Sequence, residues 1–459
     1  MSHTLFALVT AIAALGPPEK PPAPCNESIC QRDLRADLFF LAGDAFQGRL
    51  TDTPENKLAA EFIASRFARM GLKPMGSGGS FFQPFLLSTA SLGPGNEIRT
   101  LVGGLRIRCG EDFVPLPFSP SAKEDGAVFF AGFGISDAKR GHDDYRKKPP
   151  SDGMTFVVLS HEPGENDPKS PFDGLVMSEA SLPLSKILTA QENGAVGVLI
   201  VTDVHNHPGP ENFQALARGI WPDKPPRIPD YTLQDWVERV RIPVAAISRN
   251  VAMKIFDVDE RRLGKLARAS ENPREGQDVK PSYNVSLDTD VIHHTVPDRN
   301  VVAAIEGCDP KLKDEWVIIS CHVDHNGADG DRIYNGADDN GSGVVGMLEI
   351  AEAYSLAAQQ GHRPKRSVMF IAFNSEERGL LGAYAFTERP LVPLEKIVAV
   401  LNMDMIGRNE EVPRWAVARG SMAWRSRRPN RTGTHSTCWA TVTRPRWRKS
   451  SNRPMTRLV

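Results

Sequence analysis

Apolar residues along this chain recur in two rhythms. Between Pro54 and Gly71 they fall at helical spacing, with Leu58, Phe62, Ile63, Phe67 and Met70 on one predicted face. Thr53 is a suitable N-cap, Pro54 fits the first helical position, Glu55 favours the positive end, and Gly71 stops the helix. From about Ala127 the apolar residues gather instead into short runs at 127–133, 155–159, 196–201 and 242–248, split by Gly, Pro and Asp. A helical pattern over 184–192 closes at Asn193-Gly194, and a polar, proline-rich stretch covers 205–227. Three further runs, 316–321, 367–373 and 397–403, read as buried strands with helical patterns between them, such as 344–358. Strand and helix alternating in this way predict an open α/β sheet, with residues at the strand C-termini meeting along one edge.

Those three runs end in chemistry. His322-Val-Asp324-His325 follows the first, Asn374-Ser375-Glu376-Glu377 the second, and Asp404 closes the third. The glycine-rich turn from Asn335 to Gly343 carries Asp338 and Asp339 side by side. Adjacent carboxylates with no basic neighbour in sequence repel each other unless a cation neutralises them. Hard carboxylates with an imidazole suit zinc or a similar divalent ion. Asp324 can hold the second ring nitrogen of His322, which fixes the tautomer and raises basicity. His325 is the competing ligand, with a side chain expected to point away from His322 in an extended segment. Two bound ions would lower the pKa of a water, and a glutamate beside them would take its proton and pass it to a leaving amine. A serine or cysteine hydrolase finds no support: there is no nucleophile elbow, and Cys321 sits within a strand as a buried thiol. His161, His205 and His207 have no acidic partners at useful spacing and read as surface residues.

Taken together, His322-Val-Asp324, the turn 336–343, the segment Glu376-Glu377-Arg-Gly-Leu-Leu-Gly382 and Asn402-Met-Asp404-Met resemble the co-catalytic di-zinc aminopeptidases of the zinc exopeptidase superfamily, clan MH. That superfamily also holds glutamate carboxypeptidases and glutaminyl cyclases. Leu41-Ala-Gly-Asp44, Gly48-Arg49 and Gly71-Leu72-Lys-Pro74 resemble the N-terminal part of such enzymes. Phe130 to Gly134, Asp143 to Tyr145, Lys186-Ile187 and Gly194 to Val198 are similar to a protease-associated domain. The resemblance implies an α/β fold: a three-layer mixed sheet with helices on both faces, plus a small inserted α/β domain. It implies N-terminal peptidase segments over 31–125, a protease-associated domain over 126–260 and the zinc-binding part over 281–411. His322 and Asp404 would bind one Zn2+, Asp339 would bridge, and Glu377 would bind the second Zn2+. Glu376 would act as general base and Asp324 would orient His322. The implied activity is hydrolysis of N-terminal peptide bonds in a peptide or protein substrate. Carboxypeptidase or glutaminyl-cyclase chemistry is the alternative on the same fold, and a non-catalytic binding protein retaining the fold is the alternative outside enzymes.

Charge and the two ends of the chain change this picture. The stretch from Val412 onward holds eleven Arg, one Lys, no acid and four of the seven Trp, so it carries +12 of a net −1 and leaves −13 on the first 411 residues. An acidic body gives no reason to expect nucleic-acid binding. Residues 412–459 read as an aberrant basic tail, of the kind a frameshift gives, and the final histidine of the second zinc is expected to be missing; His435 is the only histidine after Asp404. Its loss would leave the second metal site incomplete and the sheet with an open edge. Residues 1–16 carry a short apolar core that fits a signal peptide better than a membrane span. An extracytoplasmic location follows as an expectation. Six cysteines in a chain of 459 residues are not a disulfide framework.

Overall fold

The computed structural model describes residues 25–101, 106–146, 153–172, 174, 176–272, 279–280, 283–408 and 441–443. The expected signal peptide, and the tail except for 441–443, lie outside these residues. Two compact units are present; the first draws on 1–83, 300–373 and 391–449, and the second on 84–299, 374–390 and 450–459.

The first unit is built on a mixed sheet. Trp316–His322 runs parallel to both Ser367–Phe373 and Ile397–Asn402, while the end of Val291–Ile305 pairs antiparallel with Ser367–Phe373. The β-branched runs seen in the sequence suit a sheet covered on both faces. Val301, Ala303, Val368 and Phe370 are buried, and so are their neighbours Val302, Ala304, Met369 and Ile371. One face packs against Pro54–Arg69 and Gly343–Gln359, which contribute Ile63, Phe67, Val344, Met347 and Leu348 to the core. Each such side chain stabilises the unit by roughly 1.5–3 kcal/mol on burial. Register then sets the chemistry: His322 lies opposite Phe373, and Ser320 opposite Asn402, so all three parallel strands end along one edge.

Helix Pro54–Arg69 starts as expected, with the Thr53 hydroxyl accepting the Asn56 N–H at 3.2 Å. Ile63, Phe67 and Met70 are buried as expected. Ala59, Ala60, Ile63, Ala64 and Phe67 are buried, whereas Leu58 is 53% exposed. Small alanines let the helix lie close to the sheet, and they join Ile63, Phe67 and Met70 in the contact stripe. Thr441–Thr443 pairs antiparallel with Ile397–Asn402. The edge strand expected to be open is therefore paired over these residues.

The second unit has a five-stranded sheet in the order Phe113–Pro115, Val244–Ile247, Ala195–Val201, Met154–Leu159, Val128–Phe130, parallel except for the first strand. Helices Arg249–Phe256 and Glu260–Ser270 bury one face through Val251, Ile255, Leu263 and Leu266. Pro183–Glu192 and Phe213–Ile220 bury the other through Ile187, Ala190 and Phe213. A four-stranded antiparallel sheet joins Ala122–Gly126, Val285–Thr289, Glu97–Thr100 and Arg106–Ile107. These pairings draw 84–125 and 261–299 into the same compact unit, which is wider than the inserted domain expected at 126–260.

Lys186 is 1% exposed, and its ammonium donates to the Phe133 carbonyl at 2.5 Å. Burial lowers its pKa to about 7, against the raising effect of Asp144, Glu162 and Asp203. In an unfolded chain a lysine titrates near 10.4. Between about pH 7 and pH 10 the unfolded chain therefore binds a proton that the folded chain lacks, so stability rises with pH across that window. The cost is fully present below about pH 7. Urea unfolding of the parent should show this rise, and Lys186→Met should remove it.

Candidate metal centre

Arg49 is 1% exposed and has a left-handed backbone conformation with φ 49°. Its Nε donates to the Val323 carbonyl at 2.9 Å, Nη1 to Leu41 at 2.8 Å and Asn335 at 2.7 Å, and Nη2 to Gly336 at 2.8 Å. Val323 separates His322 from Asp324, and Asn335-Gly336 leads into Asp338-Asp339. One guanidinium thus fixes both segments that carry candidate ligands. Gly336 is required here, because it has φ 59° and an added Cβ would lie 2.6 Å from Arg49 Nη2. The backbone repeats the tie, with His325 N–H donating to the Arg49 carbonyl at 3.2 Å and Gly327 N–H to Gly48 at 3.1 Å.

His322 is 3% exposed at the end of its strand. Its Nε2 lies 3.2 Å from Asp339 Oδ1 and 3.4 Å from Asp404 Oδ1. Two donors on one tetrahedral zinc, each about 2.0–2.1 Å from the ion, are about 3.3 Å apart. Asp404 Oδ1 is buried and makes no hydrogen bond. This donor set fits a divalent ion. On the opposite side, His325 Nδ1 is 3.9 Å from Asp339 Oδ2. Asp339 therefore offers one oxygen to each histidine, as a bridging carboxylate would. The His325 segment forms a parallel bridge with Leu50, and its imidazole faces Asp339.

The electrostatics agree with a cation site. Burial alone lowers the His322 pKa, but Asp324, Asp339 and Asp404 together raise it well above its usual value. Asp324 is fully buried, with Oδ1 3.6 Å and its carbonyl 3.2 Å from His322 Nδ1. Both acceptors favour a proton on Nδ1, which leaves Nε2 as the donor atom. The His322 hydrogen bond holds Asp339 below the ordinary carboxylate range despite burial.

Asp338 does different work. Its Oδ1 accepts from Gly407 N–H at 2.8 Å and Ser342 Oγ at 3.2 Å, and its Oδ2 pairs with Arg408. Burial opposes ionisation, yet these bonds hold its pKa below the usual value. The acidic pair thus has a basic neighbour in space, which sequence spacing did not reveal. Asn340 Nδ2 donates to the Met403 carbonyl at 2.9 Å, and Ile406 N–H donates to Ser342 Oγ at 3.0 Å. The turn and the segment holding Asp404 are fastened together.

Glu376 and Glu377 follow the strand that ends at Phe373, the residue paired with His322. Within the second unit, Asp298 accepts Asn374 Nδ2 at 2.6 Å and the Ser375 hydroxyl. Ser375 has φ 55°, and the Glu376 carbonyl accepts the N–H groups of Gly379 and Leu380. Asp298 thus fixes the turn that precedes Glu376. Cys321 is fully buried, and burial pushes its thiol to about 12, which excludes it as a nucleophile. His435 lies outside the described residues.

Residues 300–446 match Peptidase family M28. This part of the chain is similar to that family. Its match runs into the basic tail. Among curated proteins, the chain is 27% identical over 238 residues to the probable glutamate carboxypeptidase LAMP1 of Arabidopsis thaliana, covering 48% of this chain and 33% of that protein. It is 36% identical over 149 residues to aminopeptidase NAALADL1 of Mus musculus, covering 32% and 18%. The chain spans about a third or less of the length of these relatives. Among solved structures, the aminopeptidase from Aneurinibacillus sp. strain AM-1 aligns with TM-score 0.40 and 16% identity, over 84% of this chain and 72% of that one.

Replacing Arg49 by Met strands four buried carbonyls. Chemical unfolding should report a loss on the order of 3–5 kcal/mol.

Proposed function

We propose that this chain is an exported zinc metallopeptidase that removes N-terminal residues from peptides. The observation that carries the reading is the approach of Asp339 and Asp404 oxygens to within 3.2 and 3.4 Å of His322 Nε2, distances suited to one shared ion. His322, Asp339 and Asp404 would hold the first zinc. As the resemblance implies, Asp339 would bridge to a second zinc held by Glu377. The ions supply carbonyl polarisation and a water acidic enough to deprotonate near neutral pH. Glu376 takes the proton of that water and returns it to the departing amine. Asp324 keeps His322 in the Nδ1-protonated tautomer. Among the described residues no helix is long and apolar enough to cross a membrane, and export rests on the apolar run near the N-terminus.

The relatives include both an aminopeptidase and a probable glutamate carboxypeptidase, so end preference is the informative assay. A peptide with a free N-terminus and amidated C-terminus should be cleaved, and its N-acetylated counterpart with a free C-terminus should survive. The reverse pattern would establish the carboxypeptidase, and cleavage of neither would favour a non-catalytic protein.

Two substitutions separate the roles. Glu376→Gln should lower kcat by about 10²–10⁴ while zinc content, measured by mass spectrometry, is unchanged. Asp324→Asn should weaken zinc binding by about 10–100-fold in a chelator competition.

A further inference from the structure

The second unit brings together three residues that are separated in sequence. His161 lies two residues beyond strand Met154–Leu159, and His207 lies in the loop after Ala195–Val201. These strands are parallel neighbours with Leu159 opposite Val201, so both loops leave the same carboxyl edge of the sheet, where open α/β sheets place their ligands. Glu165 stands between the two imidazoles: His161 Nδ1 is 3.0 Å from its Oε2, and His207 Nε2 is 2.6 Å from its Oε1. The reading of His161 and His207 as surface residues without acidic partners is corrected. Glu165 is four residues from His161, and the fold carries His207 to it from 42 residues away.

Distance alone would allow a simple hydrogen-bonded trio, but the orientation does not. His161 Nδ1, Glu165 Oε2 and His207 Nε2 are all shielded from solvent, and none makes a hydrogen bond despite the short separations. The donor atoms of the three residues lie within 4.8 Å of one another. Two imidazole nitrogens and a carboxylate oxygen gathered this closely, shielded and without hydrogen bonds, are a donor set suited to a metal.

The support beneath is built as well. Glu271 accepts Gly164 N–H at 2.6 Å through one oxygen and Asn206 Nδ2 at 2.7 Å through the other. Gly164 precedes Glu165 and Asn206 precedes His207, so a single carboxylate fixes both ligand-bearing loops. Asn206 also donates to Asp203 at 2.8 Å, and Asp203, fully buried, accepts the His205 N–H. The neighbouring Glu162 is turned away and receives the Ser178 N–H at 3.1 Å. Oriented ligands held by a second layer of hydrogen bonds distinguish a metal site from a chance cluster.

We propose that His161, Glu165 and His207 form a divalent transition-metal site of the zinc class, separate from the centre around His322. Two imidazoles and one carboxylate leave a fourth position open. His161 and His207 also line a 510 Å³ cavity with Glu211, Phe213, Leu216 and Arg249, so that position faces a space able to admit water or a small anionic ligand. This site does not depend on the peptidase reading.

The test is a zinc titration of the full chain against a chromophoric chelator, comparing the parent with His207→Ala, Glu165→Gln and the control His205→Ala. His207 is half-exposed and Glu165→Gln keeps its shape, so both variants should fold. The parent and His205→Ala should bind one more equivalent than either site variant, and cobalt should give the parent an additional tetrahedral absorption band that both variants lack. Equal stoichiometry and equal spectra across all four proteins would overturn the site. If only one site variant retains full binding, a three-residue site is likewise refuted.

Discussion

The two segments that carry His322 and Asp339 rest on the burial of one guanidinium. Arg49 is removed from water, and a buried cation without partners is costly, so its donors must be met by carbonyls. Those carbonyls belong to Leu41, Val323, Asn335 and Gly336. They lie at the end of helix Gln31–Leu41 and in the two segments that carry His322 and Asp339. The charge that must be satisfied therefore forces three distant stretches into one geometry. It also leaves a positive group behind a cluster of carboxylates, which eases their ionisation; Arg49 is among the causes that lower Asp339.

Neighbouring acids in this protein are separated by task. Asp338 is spent on Gly407, Ser342 and Arg408, whereas Asp339 faces the two imidazoles. Glu162 binds Ser178, and Glu165 in the same turn faces His161 and His207. In each case one carboxylate neutralises itself on local donors and the other keeps its oxygens directed at nitrogen atoms. The arrangement answers the like-charge repulsion that either cluster would otherwise suffer. It also shows why counting acidic residues cannot by itself locate a metal.

The strands around the first centre were legible because β-branched runs of six or seven residues have few other readings. His322, Asp404 and Glu376-Glu377 were singled out for a related reason: polar residues directly after such runs are expected at the sheet edge. The exposed Leu58 was misjudged because periodicity marks a face without saying which side-chain volume the neighbouring sheet can accept. That His325 faces Asp339 was not legible, because the two stand 14 positions apart and only the fold places them together. His161 and His207 were missed as partners because proximity across parallel strands leaves no mark at short spacing.

The sequence by itself determined the order of strands and helices, the helix cap at Thr53, the residue types able to hold a divalent ion and the family motifs that contain them. Those are local properties, set by side-chain chemistry and by periods of two and 3.6 residues. Only the tertiary structure decided which acid of each pair faces a histidine, that His325 turns towards Asp339, and that Glu165 joins two loops of a different sheet. Such outcomes depend on register and on buried charges seeking partners far along the chain, and neither is encoded within any short stretch of residues.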